Sequence, residues 1–201
     1  MSYIIDEVKA NALNLYQQII KCMESQNKKV DSLRVKIIAF RDYYADSKAK
    51  AMLNTPFFAL PEEKADFKAC IDRIKADGGG DIPEDGLEAL AYAIKSDWRC
   101  TNIGRQIIVV WSDAGTHPLG EGPKMDMPDY PSKMPRSYSE LSQLWDDMDD
   151  RKKRLLLFTP MEESWSSIYN DWGNVIFYPS KAGQGLSDLD SDEILNVICH
   201  G

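Results

Sequence analysis

The sequence has no apolar run near the roughly 18 residues a membrane span needs. Its longest, Ile107 to Trp111, suits a buried strand. No basic segment followed by an apolar core opens the chain, so no signal peptide is expected. Histidine is scarce, at two residues, and cysteine stops at four. Cys22, Cys70, Cys100 and Cys199 show no C-x-x-C spacing, which argues against a zinc knuckle or a thioredoxin-type site. Cys22, Cys70 and Cys199 fall among apolar neighbours at helical spacing. They read as buried, reduced thiols in a cytoplasmic protein. A basic stripe is missing too. Lys plus Arg is 24 against 32 for Asp plus Glu, a net charge of -8, and no nucleic-acid partner is expected. Arg151-Lys152-Lys153-Arg154 directly follows Asp146, Asp147, Asp149 and Asp150, so it reads as a solvated, self-neutralised helix end. Gly-x-Ser-x-Gly and the P-loop are absent. Gly78-Gly79-Gly80 follows a predicted helix and precedes Asp81, which would repel a phosphate.

What is present is an ordinary globular balance. The 201 residues are 43% hydrophobic and 28% charged, which fits a single domain over residues 1–201. Ser2 can cap a long amphipathic helix with an apolar face from Ile4 and Ile5 to Ile20 and Met23. Leu33 to Phe40 reads as one strand and Phe57 to Leu60 as a short second one. Pro61 opens a helix with Phe67, Cys70, Ile71 and Ile74 on its face. Asp81 and Glu84 have capping-box spacing ahead of Leu87, Leu90, Ala91 and Ile94. Ile107 to Trp111 reads as the most buried strand, covered on both faces, and ends in Ser112-Asp113-Ala114-Gly115-Thr116-His117.

A proline-rich loop from Pro118 to about Arg136 is long for a compact domain and marks a functional or mobile segment. Ser137 and Glu140 form a second capping box before Tyr138, Leu141, Leu144, Trp145 and Met148. Leu155 to Phe158 and Val175 to Tyr178 read as strands, with a helix from about Glu163 to Asp171 between them. Asp190 and Glu193 cap a last helix. Strands alternating with helices imply a mostly parallel sheet with helices on both faces. Ligands bind beyond the carboxyl ends of such strands, where Asp113 lies and the Gly78 to Asp81 loop can approach.

Four features in this order resemble the von Willebrand factor A (vWA) domain family. They are the long opening helix, Phe40-Arg41-Asp42-Tyr43 at a strand end, Gly78 to Glu84, and Trp111-Ser112-Asp113-Ala114. The resemblance runs from Ser2 to about His117, and more weakly beyond. It implies a three-layer α/β/α sandwich with a Rossmann-like, mostly parallel sheet. It also implies a metal-ion-dependent adhesion site, in which three loops hold magnesium or manganese and an open position accepts a partner protein's carboxylate. Asp113 matches the third-loop Asp and Asp81 the second-loop residue. Gly79, Gly80, Ser112, Gly115 and His117 would border the partner.

The first-loop Asp-x-Ser-x-Ser and the strand before it have no counterpart in the sequence. Such a strand buries about five side chains at about 1.5–3 kcal/mol each, on the order of 10 kcal/mol. That compares with a net domain stability of about 5–15 kcal/mol. The remaining strands are therefore expected to close the gap, or another chain to fill it, including a second copy. The reading is a protein–protein recognition module and not an enzyme, with no membrane partner. It takes Mg2+ or Mn2+ if the site is complete and no ion if it is not. Two alternatives stand beside it. One is a metal-assisted hydrolase using Asp113 and His117; the other is an assembly domain that has lost metal binding. Asp42 reads as a structural residue at its strand end.

Overall fold

The computed structural model describes residues 2–75, 83–99, 104–128, 130–180, 195–196 and 198–199. Its elements are α1 (Ser2–Ser25), β1 (Leu33–Val35), β2 (Ile38–Phe40), α2 (Lys48–Ala51), β3 (Met52–Asn54), β4 (Phe58–Leu60) and α3 (Lys64–Arg73). Then come α4 (Gly86–Ile94), β5 (Gln106–Trp111), α5 (Gly122–Met125), α6 (Tyr138–Asp146), β6 (Lys153–Pro160), α7 (Glu163–Asp171) and β7 (Val175–Ser180). The chain divides into two compact units. One comprises Met1–Ile37, Thr55–Asp77 and Leu186–Gly201; the other comprises Ile38–Asn54 and Gly78–Gly185.

In the first unit β1 pairs antiparallel with β4, Leu33 opposite Leu60 and Val35 opposite Phe58. Phe58, Leu60, Phe67 and Ile71 are buried together, with Ala12, Leu13 and Tyr16 of α1 packed against them. The periodicity that predicts α3 thus reports its inner face, whereas the α1 stripe is matched here only at Ala12 and Tyr16, with Leu13 joining from outside it. Pro61 itself lies in a turn after a cis peptide bond from Leu60, and α3 starts later, at Lys64.

The single strand expected from Leu33 to Phe40 is broken in two. Thr55 takes both backbone groups of Ile37: its Oγ1 accepts the Ile37 N–H at 3.1 Å and its own N–H donates to the Ile37 carbonyl at 3.1 Å. β1 and β2 therefore pair with different partners. β2 pairs antiparallel with β3, a strand with no clear apolar alternation, Phe40 opposite Met52.

The second unit is α/β. β5, β6 and β7 form a parallel sheet in that order, Ile108 opposite Leu155 and Leu157 opposite Phe177. β6 is its central strand, and Leu155, Leu156, Leu157 and Phe158 are all fully buried, so both faces of that strand are covered. This corrects the expectation for Ile107 to Trp111. β5 pairs only with β6 among the described residues, and its side chains alternate between half-buried and buried. A continuous apolar run does not by itself separate a central strand from its neighbour.

One face of the sheet carries Ile108, Val110, Leu155 and Leu157. They pack with Leu87, Leu90, Ala91 and Ile94 of α4, Leu141 and Trp145 of α6, and Trp165 and Ile168 of α7. The Ser137 cap forms as its spacing predicts, its side chain accepting the Glu140 N–H at 3.2 Å. α7 has the boundaries the sequence pattern gives, and β7 starts at Val175 as expected but runs two residues further, to Ser180. The basic cluster departs from it at Lys153, which is buried and donates to the Trp145 carbonyl at 2.7 Å. The Lys153 ammonium also lies over the Trp145 ring, 4.8 Å from its centroid. Cys22, Cys70 and Cys199 form no disulfide, Cys199 being buried and the others half-buried. Cys100 and most of the expected last helix lie outside the described residues. No described helix is long and apolar enough to cross a membrane.

Candidate functional site

The carboxyl end of β5 gathers charged groups from four segments of the second unit. The chain leaves β5 through Ser112 to His117, and Glu84 pairs with it as an isolated parallel bridge to Thr116. The Glu84 N–H donates to the Gly115 carbonyl at 3.1 Å, and the His117 N–H donates to the Glu84 carbonyl at 2.9 Å. On the other side the Asp85 N–H donates to the Arg41 carbonyl at 3.0 Å. Glu84 and Asp85 thus tie the end of β2 to the end of β5.

This pairing corrects the capping expectation. α4 starts at Gly86, after the bridged Glu84 and the non-helical Asp85, and the Asp85 carboxyl makes no cap bond to the helix. The helix N-terminus is served instead by Thr116, whose Oγ1 accepts the Leu87 N–H at 3.1 Å. Asp85 turns the other way. Its Oδ2 accepts the Tyr43 N–H at 2.5 Å, and its Oδ1 takes the Lys124 ammonium at 2.6 Å.

Lys124 comes from α5, inside the long proline-rich loop, and is fully buried. It also pairs with Glu88 Oε1 at 2.7 Å, to which the Tyr130 hydroxyl donates at 3.0 Å. Burial alone would lower the Lys124 ammonium, but Glu88 and Asp85 outweigh it and hold it above its ordinary value. Burial first, then the Asp85 charge, pushes the Glu88 carboxyl up to about 7. The loop's ends meet at Gly120, whose φ of 72° and close approach to the Arg136 carbonyl admit no side chain. The segment marked by its length as functional or mobile is thus pinned through a buried ion-pair triad.

Beside the triad, Asp42, Asp85 and His117 are all buried and each offers a ligand atom within 4.8 Å of the others. His117 Nε2 faces Asp42 Oδ1 at 3.6 Å. Asp42 Oδ1 also accepts the Tyr44 N–H at 2.8 Å. The Tyr44 ring sits edge-on to the imidazole, centroids 5.3 Å apart. Burial, and then the charges of Asp42, Asp85, Asp46 and Asp113, push the Glu84 carboxyl up to about 7.

Asp113 is half-buried at the same strand end, close enough to act on Glu84. The imidazole of His117 faces Asp42 rather than Asp113. The Ser112 hydroxyl is engaged with its own turn, donating to the Ala114 carbonyl at 3.0 Å and accepting the Ala114 N–H at 3.2 Å. Gly115 contributes its carbonyl to the Glu84 bridge. Asp81, Gly79 and Gly80 lie outside the described residues.

The sequence reading leaves out Asp85, Glu88 and Lys124 and gives Asp42 only a structural part. One signal was available. Glu88 follows Leu87 on a helix whose apolar positions leave little exposed face, and a carboxylate there requires a buried partner. Lys124 offers no such signal, because nothing local distinguishes a loop lysine that turns inward. No family model matches the chain, and no curated protein matches it.

Proposed function

We propose that this chain is a protein–protein recognition module of the vWA type, a three-layer α/β/α sandwich whose working surface is the carboxyl edge of β5. A divalent cation, Mg2+ or Mn2+, binds at Asp113 with Asp81 and presents an open position to an acidic residue of a partner protein. Gly79, Gly80, Ser112, Gly115 and His117 border that contact. The observation that carries this reading is the crowding of Asp42, Asp46, Glu84, Asp85 and Asp113 at one edge, expressed in the raised Glu84 carboxyl. Such edges are where α/β sheets bind ligands, and a cation relieves such crowding.

The test is thermal unfolding with Mg2+, with Mn2+ and with EDTA, for the natural chain and for Asp113→Ala. An ion that binds only the folded state raises the midpoint. A rise that Asp113→Ala abolishes supports the reading, and no shift in either protein refutes it. A second reading, an assembly domain without metal, is favoured by the uncharged run Ile107 to Trp111 in β5, a strand with one described neighbour. Concentration-dependent sedimentation in EDTA distinguishes the two.

A further inference from the structure

We propose that Asp42, Asp85 and His117 form a separate, buried binding site for a transition-metal ion of the zinc class. The three side chains come from the end of β2, the residue before α4 and the loop after β5, so one ion would join three segments distant in sequence. Their exposures are 2%, 0% and 8%. His117 Nε2 makes no hydrogen bond although it is buried and aimed at Asp42. A buried polar nitrogen without a partner is costly unless something occupies its lone pair.

The geometry suits a small ion. Tetrahedral zinc with bonds of about 2.0–2.1 Å places its ligand atoms about 3.3 Å apart. The His117 Nε2 to Asp42 Oδ1 separation of 3.6 Å is already within a few tenths of that. None of the remaining separations exceeds 4.8 Å, and an ion would draw these side chains inward. Three protein ligands leave a fourth position for water.

The surroundings hold the ligands as outer contacts hold metal-bound side chains. The Tyr43 N–H and the Lys124 ammonium orient the Asp85 carboxylate, the Tyr44 N–H orients Asp42, and the Tyr44 ring orients His117. The donor set selects the ion. Magnesium keeps an oxygen shell, whereas imidazole beside carboxylates suits zinc and its neighbours. The site needs neither Asp113 nor Asp81, so its ligands differ from those of the adhesion site although both lie at the same edge.

The experiment titrates the intact chain with Zn2+ by calorimetry and with Co2+ by visible absorption. The expected result is a single equivalent of either ion, with tetrahedral Co2+ bands and no thiolate charge transfer. Asp113→Ala keeps that binding. His117→Ala and Asp42→Asn each weaken it by roughly 100-fold or more, beyond the roughly 10–100-fold loss of an outer partner. The chain has two histidines, so imidazole nitrogen resonances, assigned with His200→Gln, read the natural protein directly. Zn2+ must shift the His117 Nε2 signal, a readout that does not depend on any variant folding. Absence of binding, an unmoved His117 signal, or thiolate bands that persist in His117→Ala would each overturn the proposal. Loss of the Mg2+ response in Asp113→Ala with Zn2+ binding intact separates this site from the adhesion site.

Discussion

Replacing Lys124 by Met removes the only cation in contact with two fully buried carboxylates among the described ion pairs, Asp85 at 2.6 Å and Glu88 at 2.7 Å. Met matches the length and keeps the packing of the stem, so the change isolates the charge. Removing one partner of a buried ion pair costs about 3–5 kcal/mol, because the remaining charge is left uncompensated. That is a large part of a net stability of about 5–15 kcal/mol. The structure adds a pH signature. The Glu88 carboxyl stands at about 7 with Lys124 in place, and loss of the ammonium moves it higher. In mildly acidic solution Glu88 is therefore protonated and only Asp85 is left charged, so the loss shrinks. Urea unfolding followed by tryptophan fluorescence reports both values, since Trp145 and Trp165 are fully buried. Adding Glu88→Gln to Lys124→Met recovers part of the loss at about pH 8, because the amide still accepts the Tyr130 hydroxyl and carries no charge. A loss under about 1 kcal/mol at about pH 8, the size for a solvated pair, would refute the buried triad. So would an equal loss in acid and base.

The natural chain carries its own pH dependence. Glu84 and Glu88 are both raised from 4.5 to about 7, so the folded state holds protons that the unfolded state releases over that window. Their contribution is full below about 4.5 and is lost as pH rises through about 7. Urea midpoints across this range should show that fall, and the Glu84→Gln/Glu88→Gln chain should flatten it. A β-carbon at Gly86 would meet Trp165 Cζ2 at 2.5 Å and Cη2 at 2.7 Å, and that indole is locked by its hydrogen bond to the Ala114 carbonyl at 3.1 Å. Gly86→Ala should therefore destabilise by about 1–3 kcal/mol; an unchanged melting midpoint contradicts the close approach. Ser137→Ala removes the one side-chain cap on α6 and should cost about 1 kcal/mol, measurable in the same urea series and absent if the cap bond is not formed.

Local patterns determined the parts of this protein that depend on neighbours in sequence. Helical spacing marked α1, α3, α6 and α7, and the Ser137 to Glu140 spacing marked a cap that forms, because a helix or a cap needs only residues three or four positions apart. The parallel strands were visible as apolar runs, and Asp113 could be placed at a strand end. Tertiary structure decided the rest. It split the expected strand at Ile37 through Thr55, eighteen residues away, and made β6 rather than β5 the central strand. It gave the α4 cap to Thr116, which freed Asp85 to face Lys124 and Asp42. It turned His117 toward Asp42 instead of Asp113. Each of these choices is a hydrogen bond or ion pair between residues far apart in the chain. Which distant donor reaches a buried carboxylate is set by the packing of whole elements, and no local spacing encodes it.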